Sequence, residues 1–468
     1  MRSRFTIGKL WSVARYNSNN SWLYNGDNGK LNNNNLYNGL SSRALDYDIR
    51  DFASRDDFRK LYDEMLDAYY ICRKTKRGKS TQLEFEFNMA RLFVPLVVEV
   101  YTHSYVPSLA IVFILLQPRL REVIAAWFGD RVVQTWFTER LKPVLEREWY
   151  DDDSFSCRVG KGGLRAAYRV RELIDKATNG YIYDCWIVKR DVRAFFMSID
   201  TAILEERIVD FIWQHFCDDA EERNLLCYLA RVIYRNLPQN HCVIKGHPMS
   251  LGMIEPRKSL MGKTVGLPIG NKTSQDGANY YTTFYLNMLR DLGYDFAHYT
   301  DDTVIIVKDL EQWRKIDEPK LEAFIRDELH LEWHPDKKYV QHFSKGVEYL
   351  GFKIRYDRIL PSDRIAHNFI WKTNVAVKKA NAHSGYAYSH KESFMQTFNS
   401  YTGLLKWCDA NRLKNKGFEI LKNSPFADVY DFHGNNKVTI KKTKTRLAYF
   451  LYLNRLRKKQ MKKLSIHQ

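Results

Sequence analysis

Eleven residues constrain this chain more than any others: Ala297-His298-Tyr299-Thr300-Asp301-Asp302-Thr303-Val304-Ile305-Ile306-Val307. Two adjacent carboxylates stand between a short aromatic approach and an apolar β-branched run, which predicts a tight hairpin turn leading into a buried strand. Like charges side by side at such a turn repel, so a cation is expected beside them, and Mg²⁺, which takes oxygen ligands, suits the pair. Taken alone, the pair is also an ordinary Asx-type turn between two strands. Its meaning depends on which other residues the chain brings to it.

Lys and Arg outnumber Asp and Glu by 73 to 55 over 468 residues, a net charge of +18, and 45% of the chain is hydrophobic. That apolar fraction is ordinary for a globular protein, and the length accommodates two or three domains with cores of their own. The positive excess points to a polyanionic partner, either nucleic acid or an anionic membrane surface. The longest apolar run, Leu109 to Leu116, is far too short to span a bilayer. The N-terminus carries basic residues without an apolar signal core or cleavage site, so a soluble, cytoplasmic protein with no membrane partner is expected. Cys72, Cys157, Cys185, Cys217, Cys227, Cys242 and Cys408 are scattered and never form Cys-x-x-Cys. They predict reduced thiols and argue against a zinc ribbon.

Residues 1–46 form an Asn-rich leader, dense from Asn17 to Asn38 with Trp22, Tyr24, Leu36 and Tyr37 interleaved; asparagine favours turns over regular elements. From about Tyr47 the spacing of Phe58, Leu61, Tyr62, Met65, Leu66 and Tyr69 predicts an amphipathic helix. It ends in the basic run Arg73 to Lys79, which reads equally as a solvated helix end or a phosphate-facing one. A second helix is predicted from about Gln82 to Tyr101, and Ala110 to Leu116 reads as a strand. Arg119 and Arg121 then alternate along an extended segment, sharing one face suited to clamping a triphosphate or a template backbone. Cys157-Arg158-Val159-Gly160-Lys161-Gly162-Gly163-Leu164 is a Gly-rich turn leading into a helix, a candidate phosphate cradle with Arg158 and Lys161 as its cations.

The apolar run from Trp186 ends on Asp191, which places this carboxylate at a strand exit where it can meet Asp301 and Asp302. Two Mg²⁺ ions need shared carboxylates to bring an attacking 3′-oxygen and a leaving pyrophosphate oxygen into line, and Asp191 with Asp301 would supply that bridge. Gly266-Leu267-Pro268-Ile269-Gly270-Asn271-Lys272-Thr273-Ser274-Gln275 is a tight loop before an amphipathic helix carrying Ala278, Tyr281, Tyr285 and Leu289. Its glycines let the backbone approach a nucleotide. Farther on stand Lys337, able to protonate departing pyrophosphate, and the hairpin of Glu348, Tyr349, Leu350, Gly351 and Phe352, able to grip a primer.

The ordered set Pro118 to Arg121, Asp191 to Asp200, Gly266 to Gln275, Tyr299 to Asp302, His334 to Lys338 and Glu348 to Phe352 resembles the reverse transcriptase family, over about residues 50–420. The resemblance implies a right-hand polymerase of α+β type, with fingers within 47–180, a palm and part of the fingers within 181–360, and an α-helical thumb within 361–468. It makes Asp191, Asp301 and Asp302 the catalytic carboxylates around two Mg²⁺ ions, for which Mn²⁺ can substitute, with the Val192 carbonyl as a further ligand. Arg119 and Arg121 then hold the triphosphate, Ile269, Gly270 and Gln275 line the nucleotide pocket, and Phe196 is the aromatic gate that rejects a ribose 2′-OH while Phe195 fills the core. Lys337 takes the proton-donor position, with Lys338 open as the alternative by a one-residue shift. Tyr349 to Phe352 form the primer grip, and Asp200 caps the following helix.

Ile269-Gly270 and Ser274-Gln275 resemble the diversity-generating retroelement branch, in which an apolar residue at the position of Ile269 goes with errors opposite template adenine. The leader then has two readings, a translated template repeat or a low-complexity extension. Bacterial antiphage-defence enzymes share the core motifs, and an inactive RNA-binding scaffold is the remaining alternative. The implied partners are a structured RNA template, a primer or cDNA strand, dNTPs, a small basic accessory protein and a second copy of the chain, in a bacterial or phage-encoded setting. Beyond Asn436 there is no acidic residue, and Arg455, Arg457, Lys458 and Lys459 are expected to face a nucleic-acid duplex from a helix whose apolar stripe is Leu447, Phe450, Leu451 and Leu456.

Overall fold

A computed structural model describes residues 50–74, 77–116, 120–245, 252–383 and 385–441. The Asn-rich leader, Arg119 and the basic C-terminal segment with Arg455, Arg457, Lys458 and Lys459 lie outside them. In chain order the strands are β1 (Ala110–Leu115), β2 (Arg121–Ala125), β3 (Trp186–Asp191), β4 (Cys242–Ile244), β5 (Asp295–Tyr299), β6 (Asp302–Val307), β7 (Tyr339–His342), β8 (Val347–Tyr349), β9 (Phe352–Ile354), β10 (Ile359–Pro361), β11 (Tyr430–His433) and β12 (Lys437–Ile440).

Four of them form the central sheet, ordered β5-β6-β3-β7 and antiparallel throughout. It separates two cores, and the period-two alternation of a strand explains how. Ile305 and Val307 of β6, Val188 of β3 and Phe296 of β5 belong to the core built with the N-terminal helices. Val304 and Ile306, Ile187 and Ala297 belong to the other, shared with the C-terminal helices. Each fully buried side chain of this size contributes about 1.5–3 kcal/mol. Because both faces are apolar, the hydrophobic pattern alone does not fix how β5 and β6 align. The two-residue turn at Thr300-Asp301 does, pairing Tyr299 with Asp302.

The first core is dominated by helices. Asp56–Lys74 buries Phe58, Leu61, Tyr62, Met65 and Tyr69, the stripe expected from the spacing. The single helix predicted from Gln82 to Tyr101 is instead two, Ser80–Phe87 and Met89–Tyr101. Asn88 divides them: its side-chain amide donates to the Glu84 carbonyl at 3.0 Å, competing with the helical ladder. Beside this core, β1 pairs antiparallel with β2 and parallel with β4, so a strand from far along the chain completes the sheet begun near residue 110.

The C-terminal part is not wholly helical. After the helices Asp363–Ala382, Lys391–Leu405 and Asn411–Lys422, β11 and β12 form a hairpin. Alternating Tyr430 and Phe432, the turn residues Gly434-Asn435-Asn436 and the β-branched Val438, Thr439 and Ile440 carry the signal. Asn399 anchors the hairpin, donating to the Val438 carbonyl at 2.8 Å and accepting from its N–H at 2.9 Å. Among the described residues no helix is long and apolar enough to cross a membrane.

Candidate active site

Asp191 is the last residue of β3 and Asp302 the first of β6, and the two are direct partners in the antiparallel register. They share the sheet face that carries Ile187 and Val304. Asp301 immediately precedes Asp302 at the turn, where Thr300 takes a left-handed backbone (φ 62°). A β-branched residue there is strained, a condition that persists where surrounding structure dictates it. Burial, then the charges of Asp302 and Asp191, push the Asp301 carboxyl up to about 6.

The segment before Lys337 is docked on the exit of β3. His334 donates its N–H to the Asp191 carbonyl at 2.7 Å, Arg193 donates to the Glu332 carbonyl at 2.8 Å, and Val192 bridges to Trp333. This brings the Lys337 ammonium onto the Asp191 carboxylate as an ion pair. Lys338 points elsewhere, to the buried Glu318, which also faces Arg190 at 2.9 Å. Of the two lysines, Lys337 is thus the one that stands at Asp191.

The loop Gly266 to Asn271 lies beside the same strand exit. Leu267 donates to the Phe196 carbonyl at 2.7 Å and Gly266 to that of Ile199 at 2.8 Å. Gly266 has φ +104°, and a Cβ there would stand 2.4 Å from Leu260 and 3.0 Å from the Met197 backbone, so only glycine fits. Phe195 is buried in the core and Phe196 is half-buried. Ile269 accepts from the Ile124 N–H at 3.0 Å and leans on the small core of Ala110, Val112, Ile124, Met197 and Leu260. Gly270, Gln275 and Arg121 are exposed. Asp200 caps the helix Thr201–His215, accepting from Ala202 and Ile203.

Two expectations are corrected. Arg158 does not face a phosphate backbone: its side chain is only 4% exposed, pairs with Glu146 at 2.7 Å and donates to the Ser154 carbonyl. Lys161 remains partly exposed, with its ammonium on the Asp152 carbonyl at 2.6 Å. Arg158→Ala is therefore expected to lower stability by about 3 kcal/mol, by leaving buried acceptors unpaired, with no change in the salt dependence of nucleic-acid binding; a shallower salt slope without loss of stability would restore the original reading. In the β8–β9 hairpin, Tyr349 and Phe352 are core residues, whereas the turn residues Leu350 and Gly351 are half-buried. The Tyr349 hydroxyl donates to the carbonyls of Ala297 at 3.1 Å and Asp302 at 3.3 Å, fastening the hairpin to the β5–β6 turn.

Sequence reasoning missed two features. Lys189, two residues before Asp191, is the diagonal neighbour of Asp302, with its ammonium 4.0 Å from that carboxylate. Behind the turn, buried His298 pairs through Nδ1 with the Thr303 hydroxyl at 2.9 Å, and burial pushes its pKa down to about 3. Neither is visible from local pattern, since both depend on partners that strand pairing brings together.

The donor set, three carboxylates with the nearby Val192 carbonyl, has the hard-oxygen chemistry that Mg²⁺ or Mn²⁺ requires. Burial first, and then the charges of Asp302 and Asp191, raise the Asp301 pKa, and a cation would relieve the repulsion among the three carboxylates. Among the described residues, however, no three His, Cys, Asp or Glu side chains are already gathered as a metal cage. Asp191 is held by Lys337, so convergence on a cation requires that this pair part.

No protein-family model and no curated protein matches the chain. Among solved structures, it is similar to an apo telomerase from Candida tropicalis truncated from its C-terminal domain, at 9% identity over 54% of this chain and 55% of that one, with a TM-score of 0.40. Telomerases in complex with a TWJ fragment of telomeric RNA also match: that of Candida tropicalis at 8% identity over 68% and 54% of the two chains, and that of Candida albicans at 9% over 70% and 56%, each with a TM-score of 0.40. The chain spans little more than half the length of these structures. At that level of likeness, the functional reading rests on the chain's own site.

Proposed function

We propose that the chain is an RNA-templated DNA polymerase of right-hand architecture, transferring nucleotides to a primer 3′-end. The observation that carries this reading is the cross-strand pair Asp191–Asp302, with Asp301 at the adjoining turn and Lys337 on Asp191. Asp191, Asp301, Asp302 and the Val192 carbonyl would hold Mg²⁺, which when bound supplies charge stabilisation to the attacking 3′-oxygen and the leaving pyrophosphate. Released from Asp191, the Lys337 Nζ holds a proton that it can give to the pyrophosphate oxygen. The exposed Arg121 at the start of β2, with Arg119 beside it in sequence, is the cation for the triphosphate. Leu350-Gly351 meets the primer end.

The test is extension of a DNA primer on an RNA template by the purified protein with Mg²⁺ and four dNTPs. Elongation that stops one base before a withheld nucleotide supports the reading; the absence of any templated incorporation favours an RNA-binding scaffold and overturns it. Phe196→Ala is expected to improve the use of ribonucleotides by about tenfold to a hundredfold relative to dNTPs, through loss of a steric exclusion of about 1–3 kcal/mol. Unchanged sugar discrimination would remove Phe196 from the gate.

The finer reading is the error-prone enzyme of a diversity-generating retroelement copying a structured RNA. Its support is Ile269, an apolar side chain packed on the core of the neighbouring β1–β2 hairpin, where a polar group would otherwise check the nascent pair. Sequencing of the cDNA tests it. Errors concentrated opposite template adenine support diversification, and faithful or repetitive products favour antiphage defence.

A further inference from the structure

We propose that Lys189 is a positioning residue that couples the β8–β9 hairpin to the Asp302 carboxylate. The inference rests on the polymerase reading for its catalytic consequence, but its geometry stands independently. Lys189, Asp191, Asp302 and Val304 lie on one face of the β3–β6 ladder, because Lys189 pairs with Val304 and Asp191 with Asp302. From this position the Lys189 ammonium reaches three groups. It donates to the Glu348 carbonyl at 3.0 Å, lies 5.6 Å over the Tyr349 ring, and stands 4.0 Å from Asp302 Oδ1. Tyr349 closes the circuit by donating to the Asp302 carbonyl.

The hairpin is thus fastened to Asp302 at two points, one through backbone and one through charge. Its turn, Leu350-Gly351, is tight: a Cβ on Gly351 would stand 2.7 Å from Ile365, so the turn is also pressed against the helix Asp363–Ala382. Movement of the hairpin therefore moves the cation that orients Asp302. A lysine only 22% exposed on the side chain, with a carbonyl and a carboxylate as its partners, is not a freely solvated surface charge. Methionine has the length to fill this place but neither donates nor carries charge. Arginine keeps both properties.

The experiment compares wild type, Lys189→Met and Lys189→Arg. In primer extension at saturating duplex, Lys189→Met is expected to lose about tenfold in kcat with the dNTP KM within about twofold, and Lys189→Arg to recover to within about threefold. In chelator, hydrogen–deuterium exchange over Val347–Ile354 is expected to rise about tenfold in Lys189→Met and not in Lys189→Arg, while the melting temperature stays within about 2 °C. Unchanged exchange, unchanged kcat, or a loss confined to KM overturns the proposal. If the wild type itself incorporates no dNTP, the polymerase reading fails, and the exchange measurement alone then decides whether Lys189 ties the hairpin to Asp302.

Discussion

Replacing Asp301 with asparagine is expected to remove templated dNTP incorporation while making the metal-free protein more stable at neutral pH. Loss of one group from a charge-stabilising site typically lowers the rate about 10²–10³-fold. The gain in stability has a separate cause. Burial and the neighbouring Asp302 and Asp191 raise the Asp301 carboxyl from 3.8 in an unfolded chain to about 6 in the fold. A raised pKa means that the stabilisation from the protonated carboxyl is fully present below pH 3.8 and is lost as pH rises through about 6. Above that the fold carries a repelled charge that asparagine lacks. In chelator, Asp301→Asn should therefore melt with wild type near pH 4 and higher than wild type by roughly 1–3 °C at pH 7.5. An inactive variant that melts lower, or an active one, would mark Asp301 as an ordinary turn residue.

Lys337 and Lys338 are adjacent in sequence but answer to different carboxylates, so their substitutions should separate. Lys337→Met is expected to lower kcat by about a hundredfold with little change in KM, as for removal of a general acid. Lys338→Met should keep kcat within about threefold but lower the melting temperature, because the buried Glu318 then retains Arg190 alone. Rapid-quench kinetics and thermal melts on both variants check the pair. The reverse pattern would assign proton donation to Lys338.

Much of this site was legible in the sequence, for identifiable reasons. β6 is a run of β-branched residues after a two-residue turn, and β3 opens on the apolar Trp186-Ile187-Val188 and ends, past Lys189 and Arg190, on Asp191, so both carboxylates could be placed at strand ends from local pattern. Asp200 was recognisable as a cap because capping depends on the next three residues. What stayed hidden depends on register or distant partners. Lys189 gains its meaning only when β3 pairs with β6 and the hairpin closes over it. Arg158 sits in a Gly-rich loop that looks like a phosphate cradle, yet Glu146, from the preceding helix, holds its guanidinium inside. Tyr349 belongs to a motif that suggests primer contact, but its ring is buried and its hydroxyl serves the neighbouring turn. The break at Asn88 was equally invisible to periodicity, since the apolar spacing continues through it while the side-chain amide ends the ladder.

We propose that Asp191 and Asp302, paired across two strands, form the reacting centre of a templated polymerase. Its most direct test is dNTP incorporation into a primer annealed to RNA, in Mg²⁺, by the wild-type protein beside Asp302→Asn. The expected result is templated extension by the wild type and none detectable from a folded Asp302→Asn. Equal incorporation by both proteins, or none by the wild type, would contradict it.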